Sequence, residues 1–202
     1  ALAQLAREAG AAPVVLGIAR DSVDQIAAKL ADAEADVLVT TGGASVGDHD
    51  HAQAALERLG GQLVFHTVAI RPGKPVLFGT ASRGRLVFGL PGNPAAAMLG
   101  FELFVRLAVR ILEGDPQPRR ARARAELRGG TLSRIQGLTF FPRGRASIDS
   151  GRLVFTPGAQ QSSMQIGSWS AVNAIAQIEP GEGKLNPGDA VDVLLLGAPE
   201  AA

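Results

Sequence analysis

The 202-residue chain contains no cysteine, which excludes disulfides and thiolate metal sites and fits a reducing compartment. Nor is there an excess of charge: 20 basic against 19 acidic residues leave a formal net charge of +1. A polyanion such as nucleic acid is therefore not expected as the main partner. No basic stretch leading into an apolar run opens the sequence, so a secretory leader is not expected. The longest apolar run, Ala95 to Leu112, is broken by Glu102, Arg106 and Arg110 at four-residue intervals. That spacing is one polar stripe on an amphipathic helix, with an i,i+4 pair inside it, and not a membrane span. A G-x-G-x-x-G dinucleotide fingerprint is absent. None of the histidines stands with a nucleophile in a way that suggests Ser-His-Asp chemistry.

What is present is a folded, turn-rich composition: 46% hydrophobic residues, 25 glycines and 12 prolines. Residues 1–9 read as a helix stopped at Gly10. PVVLGI (13–18) is a continuous apolar run, the pattern of a strand buried on both faces. Ser22 with Gln25 has the form of a capping box opening the next helix. DVLVTT (36–41) reads as a strand, and a helix from His51 to Leu59 ends at Gly60-Gly61. Strands follow at 62–66, 75–79 and 85–90, the last two joined by ASRG. Asn93 then caps a helix with Pro94 at its first position, where a proline loses no hydrogen bond. Strands alternating with helices predict an α/β domain, three layers deep, with a mostly parallel sheet. Because a helix comes first, that sheet is expected to lack its first strand, and the chain to be a piece of something longer.

After Gly114 the helical period stops. EGDPQPRR reads as a linker, and six short strands follow: ARARAEL, LTFFPRG, RASID, RLVFTPG, NAIAQIE and AVDVLLLG, separated by GG, DSG, PGEG and NPGD. They predict a small all-β barrel or sandwich. The expected domains are 1–117 and 118–202.

Three loops emerge where apolar strands end: Arg20-Asp21, TTGGASVGDHD (40–50) and LPGNP (90–94). In a parallel α/β sheet the carboxyl ends of the strands share one edge, where ligands bind. Gly42 and Gly43 permit close backbone approach, and Thr40, Thr41 and Ser45 add hydroxyls. Asp21, Asp48 and Asp50 are each either helix caps or oxygen ligands for Mg²⁺; His49 and His51 read as exposed. Arg71 and Lys74 flank a Pro-Gly turn, where they are solvated or hold an anion. Asn93-Pro94 is explained by starting a helix, whereas Pro91-Gly92 asks for a further reason. Together these residues describe a pocket for phosphate or another oxyanion.

TTGGASVGDHD, AIRPGKP and FGLPGNPAAAMLGFELFVRLAVRILEG, followed by QQSSMQIGSWSAVNAI, resemble the molybdopterin molybdenumtransferase family, the bacterial MoeA proteins, whose relatives include gephyrin. The resemblance covers nearly the whole chain. It implies an enzyme of molybdenum cofactor biosynthesis that inserts molybdate into adenylylated molybdopterin with Mg²⁺ and releases AMP. It implies a cytoplasmic homodimer, with possible contact to the adenylyltransferase partner. The family's functional aspartates match Asp21 and Asp50, which would hold Mg²⁺. Its substrate loops match Thr41, Gly42, Gly43 and Ser45, and Pro91, Gly92, Asn93 and Pro94. Its basic loop matches Arg71 and Lys74, and a serine thought to contact molybdate matches Ser163. Where the family commonly has an arginine early in its barrel this chain has Leu138, with Arg143 and Arg145 as candidate substitutes. The family's glutamate-bearing TGDEL-type loop and its two N-terminal domains are not in the sequence. Two rivals are a molybdopterin adenylyltransferase or competence-protein-type pyrophosphatase on the same α/β fold, which is not expected to carry the barrel, and a non-catalytic gephyrin-like binding module.

Overall fold

The computed structural model describes residues 1–20, 22–43, 51–159, 161, 166–169 and 171–201. They form two compact units: Ala1–Val68 with Gly73–Pro118, and Ala69–Pro72 with Arg119–Ala202.

The first unit opens with α1 (Leu2–Glu8), which closes before Gly10, a glycine in the left-handed region at φ 101°. α2 (Val23–Ala31), β1 (Val37–Thr41), α3 (His51–Arg58) and β2 (Gln62–Thr67) follow. The two-residue β3 (Ile70–Arg71) leaves the unit before β4 (Pro75–Ala81) and β5 (Arg85–Leu90) complete its sheet. α4 (Pro94–Gly100) continues through a π-helical turn at Phe101–Val105 into α5 (Arg106–Leu112).

The sheet order is β1-β5-β4-β2. β1 and β5 run parallel, while β5–β4 and β4–β2 are antiparallel. The α/β layering is as expected, but the pairing is mixed: the short turn at Ser82–Gly84 forces β4 and β5 into a hairpin. Alternation along the strands divides the core in two. Val76, Phe88 and Leu90 pack with Ala97, Phe101, Val105 and Val109 on one face. Leu38, Leu77 and Val87 pack with Leu30, Ala52 and Leu56 on the other. The sheet is thus sandwiched between helical layers.

Residues 13–18 are not a strand. A strand persists only where a neighbour takes its ladder bonds, and no described strand runs beside this segment. Val14, Val15 and Ile18 consequently stand 75%, 77% and 94% exposed. Lys29 Nζ, on α2, donates to the Leu16 carbonyl at 2.9 Å.

Two caps also differ from expectation. Ser22 and Asn93 occupy N-cap positions with extended backbones, but neither side chain makes the capping bond. Their carbonyls instead accept the first helical bonds, from Ile26 N (3.0 Å) and Ala97 N (2.9 Å). The Glu102–Arg106–Arg110 stripe does not face water. Glu102 is buried with Arg106 Nε 3.9 Å from its carboxylate. Arg106 donates to the Pro118 carbonyl at 3.1 Å, and Arg110 pairs with Asp115 at 2.6 Å and reaches the Ala9 carbonyl. The stripe is covered by the turn that follows α5 and by the end of α1. The Gln117 amide is the main reason the Asp115 carboxyl lies below its usual range, with Arg110 adding to it. No helix among the described residues is long and apolar enough to cross a membrane.

The second unit holds β6 (Arg122–Leu127), β7 (Leu132–Ser133), β8 (Thr139–Phe140), β9 (Arg143–Asp149), β10 (Arg152–Pro157), β11 (Ala174–Gln177), β12 (Lys184–Leu185), β13 (Ala190–Leu195) and β14 (Glu200–Ala201). Sheet order β10-β6-β13-β11-β9, with β9 pairing back to β10, closes a barrel, and β14 extends β9. Its core is Leu127, Phe155, Ala146, Ala176, Ile178 and Val193, with their neighbours. Closure leaves the five barrel strands few open edges, which a small sheet needs. The expected strands LTFFPRG and RASID are instead one long strand, β9, preceded by the short β8. β3 pairs with β8 in parallel, through Thr139 N to the Ala69 carbonyl (2.9 Å) and Phe141 N to the Arg71 carbonyl (2.8 Å).

Candidate functional site

In the first unit the parallel register sets Thr41 beside Leu90, so the loops leaving β1 and β5 start side by side. Gly42 N donates to the Leu90 carbonyl at 3.1 Å, which ties the two loops at their roots. Gly42 and Gly43 have φ of 82° and 68°, conformations that L-residues with a Cβ rarely take. A Cβ added to Gly92 would stand 3.5 Å from Gly42 Cα, an ordinary contact distance that shows how near the two loop backbones lie. Thr41, Gly42, Gly43, Pro91, Gly92, Asn93 and Pro94 are thereby brought to one edge. Pro91 is buried and holds the β5 end, while Gly92, Asn93 and Pro94 are exposed. Pro94 opens α4. This edge combines backbone N–H groups, hydroxyls and a helix start, a set suited to an anionic group.

Asp21, Ser45, Asp48, His49, Asp50 and Ser163 lie outside the described residues. Arg71 and Lys74 are both exposed, but they belong to different units: Arg71 is in β3 of the barrel unit and Lys74 begins the return into the first. The sequence reading missed that separation because a four-residue excursion leaves no mark on apolar periodicity. It also gave Thr40 no distinct role. The Thr40 hydroxyl oxygen is buried at the root of the glycine loop with no hydrogen-bond partner, and such an orphan costs about 1–3 kcal/mol.

The structure separates the two barrel arginines. Arg145 is exposed and paired with Glu200. Arg143 is 1% exposed. Gln161 takes the Arg143 N–H at 3.0 Å and returns a bond to its carbonyl at 2.8 Å. The Arg143 guanidinium lies 5.9 Å from the centroid of the Trp169 ring. Burial lowers its pKa from arginine's usual value, yet a guanidinium stays protonated at any ordinary pH. Gln161 and Trp169 lie in the QQSSMQIGSWSAVNAI stretch that carries the resemblance, but neither was singled out, since a lone tryptophan in a polar loop has no periodicity to read.

Comparison with known proteins agrees with this geometry. Residues 1–111 match the family described as "Probable molybdopterin binding domain", and residues 132–196 match "MoeA C-terminal region (domain IV)". The chain is 36% identical over 191 residues to the molybdopterin molybdenumtransferase of Bacillus subtilis, covering 94% of the chain and 44% of that protein. It is 32% identical over 217 residues to the enzyme of that name from Nostoc, covering 98% and 46%. Among solved structures, a molybdopterin biosynthesis MoeA protein from Pyrococcus horikoshii superposes with a TM-score of 0.77 at 27% identity, over 98% of this chain and 47% of that one. A molybdenum cofactor biosynthesis protein from Pyrococcus furiosus gives 0.71 at 27% identity, over 96% and 62%. The chain therefore spans about half the length of the curated relatives it matches. With an α/β unit whose glycine and Pro-Gly loops share one edge, followed by a closed barrel, the chain belongs to the molybdopterin-binding domain family in its MoeA branch.

Proposed function

We propose that this chain is the part of a molybdopterin molybdenumtransferase that binds adenylylated molybdopterin and, in the whole protein, serves the insertion of molybdate with release of AMP. The observation carrying this reading is the apposition of the Gly42–Gly43 and Pro91–Pro94 loops at the ends of a parallel strand pair. Thr41, Gly42, Gly43 and Ser45, with Pro91 to Pro94, bind the pterin and its phosphates. Arg71, Lys74 and Ser163 bind oxyanion oxygens. Asp21 and Asp50 would hold Mg²⁺, which supplies charge stabilisation for the departing AMP when bound. The fit rests on donor chemistry, since carboxylates suit this hard cation. Among the described residues no cluster of three or more His, Asp or Glu forms a rival metal centre. A cytoplasmic homodimer that receives its substrate from an adenylyltransferase completes the proposal.

Two measurements test it. In the longer protein, AMP release from adenylylated molybdopterin is expected to require molybdate; release indifferent to molybdate overturns the reading. In the 202-residue chain, Gly92→Ala should hold stability within about 0.5 kcal/mol, because the new methyl makes only ordinary contact. The same change should weaken adenylylated molybdopterin, measured by calorimetry, by about tenfold, the effect of one lost hydrogen bond or a crowded approach. Unaltered affinity would mean that Gly92 merely starts a helix.

A further inference from the structure

The connection from β10 to β11, residues 158–173, carries Ser163. It leads from one edge of β9 to the other, because β10 and β11 flank that strand. Both backbone ladders stop at the same place: Pro157 faces Gly144 in one, and Ala174 faces Gly144 in the other.

At each end of the connection a carboxamide takes over from the backbone. The Gly158 N–H still donates to the Arg143 carbonyl at 2.9 Å. An antiparallel pair would return a bond from the Arg143 N–H to the Gly158 carbonyl, and the Gln161 side chain takes the place of that bond. Its Oε1 accepts the Arg143 N–H at 3.0 Å, and its Nε2 donates to the Arg143 and Gly158 carbonyls at 2.8 Å each. Asn173 does likewise at the far end. Its Oδ1 accepts the Ala146 N–H at 2.6 Å, and its Nδ2 donates to the Ala146 carbonyl at 2.9 Å.

A carboxamide offers two donors and an acceptor oxygen, and Gln161 commits all of these to the backbone. A long polar side chain gives up rotamer freedom when it is fixed in this way, so Gln161 is an anchor and not a solvated loop residue. Ser163, which lies outside the described residues, follows it by two positions. Chain length alone therefore keeps Ser163 within about 7 Å of the anchor. Asn173 stands ten positions beyond Ser163 and has no such hold on it.

We propose that Gln161 is the positioning residue for the oxyanion contact of Ser163. The role rests on the function proposed above, in which Ser163 binds an oxyanion oxygen, here one of molybdate. Gln161 itself touches no substrate. It fixes the start of the segment, so that the entering anion does not have to order the chain around the serine hydroxyl. Asn173 closes the other end and serves the barrel alone.

In the longer protein, Gln161→Ala should raise the KM for molybdate by about tenfold, the effect of one hydrogen bond to a charged group. The kcat should stay within about twofold, because a contact made equally in ground and transition states acts on KM alone. The KM for adenylylated molybdopterin should not move. Should the alanine variant not fold, Gln161→Met keeps the length of the side chain, removes its hydrogen bonds and should act alike. Ser163→Ala should raise the molybdate KM at least as far. The double variant should be no worse than Ser163→Ala alone, since Gln161 acts through that hydroxyl. Asn173→Ala removes the matching clamp and should lower the unfolding midpoint without altering the molybdate KM. An unaltered molybdate KM in the Gln161 variants overturns the proposal, as do additive effects in the double variant or an equal rise in Asn173→Ala. AMP release that is indifferent to molybdate in the unsubstituted protein would instead overturn the function proposed above, and the positioning role with it, so the two failures are distinguishable.

Discussion

Asp50→Asn in the full-length protein is expected to lower molybdate-dependent AMP release by about 100-fold or more, the scale on which one preorganised electrostatic group acts. The substitution keeps the size and planarity of the side chain and removes only its charge. An amide is a poor ligand for Mg²⁺ compared with a carboxylate, so Mg²⁺ binding by calorimetry should weaken along with activity. Stability should change by less than about 1 kcal/mol, because the new side chain has the same size and loses only its charge. The rival assignment, a helix cap before α3, predicts that Asp50→Asn changes neither property, because asparagine caps a helix as well as aspartate does. Asp50→Ala removes the cap and should then cost up to about 2 kcal/mol of stability while leaving metal binding alone. Intact Mg²⁺ affinity in Asp50→Asn, with a lowered unfolding midpoint in Asp50→Ala, would reduce Asp50 to a cap.

Gly144→Ala should destabilise the barrel unit by about 3 kcal/mol or more, the upper range for overpacking a rigid core. A Cβ there would stand 2.7 and 2.8 Å from two carbons of the Phe155 ring and closer still to the Thr156 carbonyl oxygen. Neither obstacle can retreat. Phe155 is fully buried, and Thr156 lies within the β9–β10 ladder that closes the barrel, paired to Arg145. Backbone conformation is not the issue, because Gly144 is not among the glycines at positive φ. Gly197→Ala is the control: nothing lies within 4 Å of its added methyl, and it should stay within about 0.5 kcal/mol of wild type. Urea unfolding followed by circular dichroism measures both. A Gly144→Ala protein as stable as the control would show that the barrel wall yields where its packing implies that it cannot.

The division between what was readable in sequence and what was not follows particular residues. Strands β1, β4 and β5 and the long helix after Pro94 were legible because each has a local cause: apolar runs bounded by turn residues, and a proline at a helix start. The segment 13–18 has the same local signature and yet is no strand, because a strand is a property of two segments. The hairpin at Ser82–Gly84 was visible as a short connection, but its effect on the sheet, antiparallel pairing at β4, was overridden by the expectation drawn from alternating helices and strands. Glu102, Arg106 and Arg110 kept their predicted spacing while their surroundings were misjudged. Periodicity tells which residues share a helix face; it does not tell what covers that face.

The sequence by itself determined the order of elements, the change of class after Gly114, the glycines and prolines that shape the two loops, and the membership of the family, because each resides in residue identities and short spacings. Tertiary structure alone decided the rest: that β1 and β5 are neighbours and bring Gly42 to Gly92, that Ala69–Pro72 leaves one unit to pair with β8 in the other, and that Arg143 is buried beneath Trp169 while Arg145, two residues on, is exposed. Those facts depend on contacts between residues from about 26 to 70 positions apart, and no local propensity encodes which distant partner a strand edge or a side chain will find.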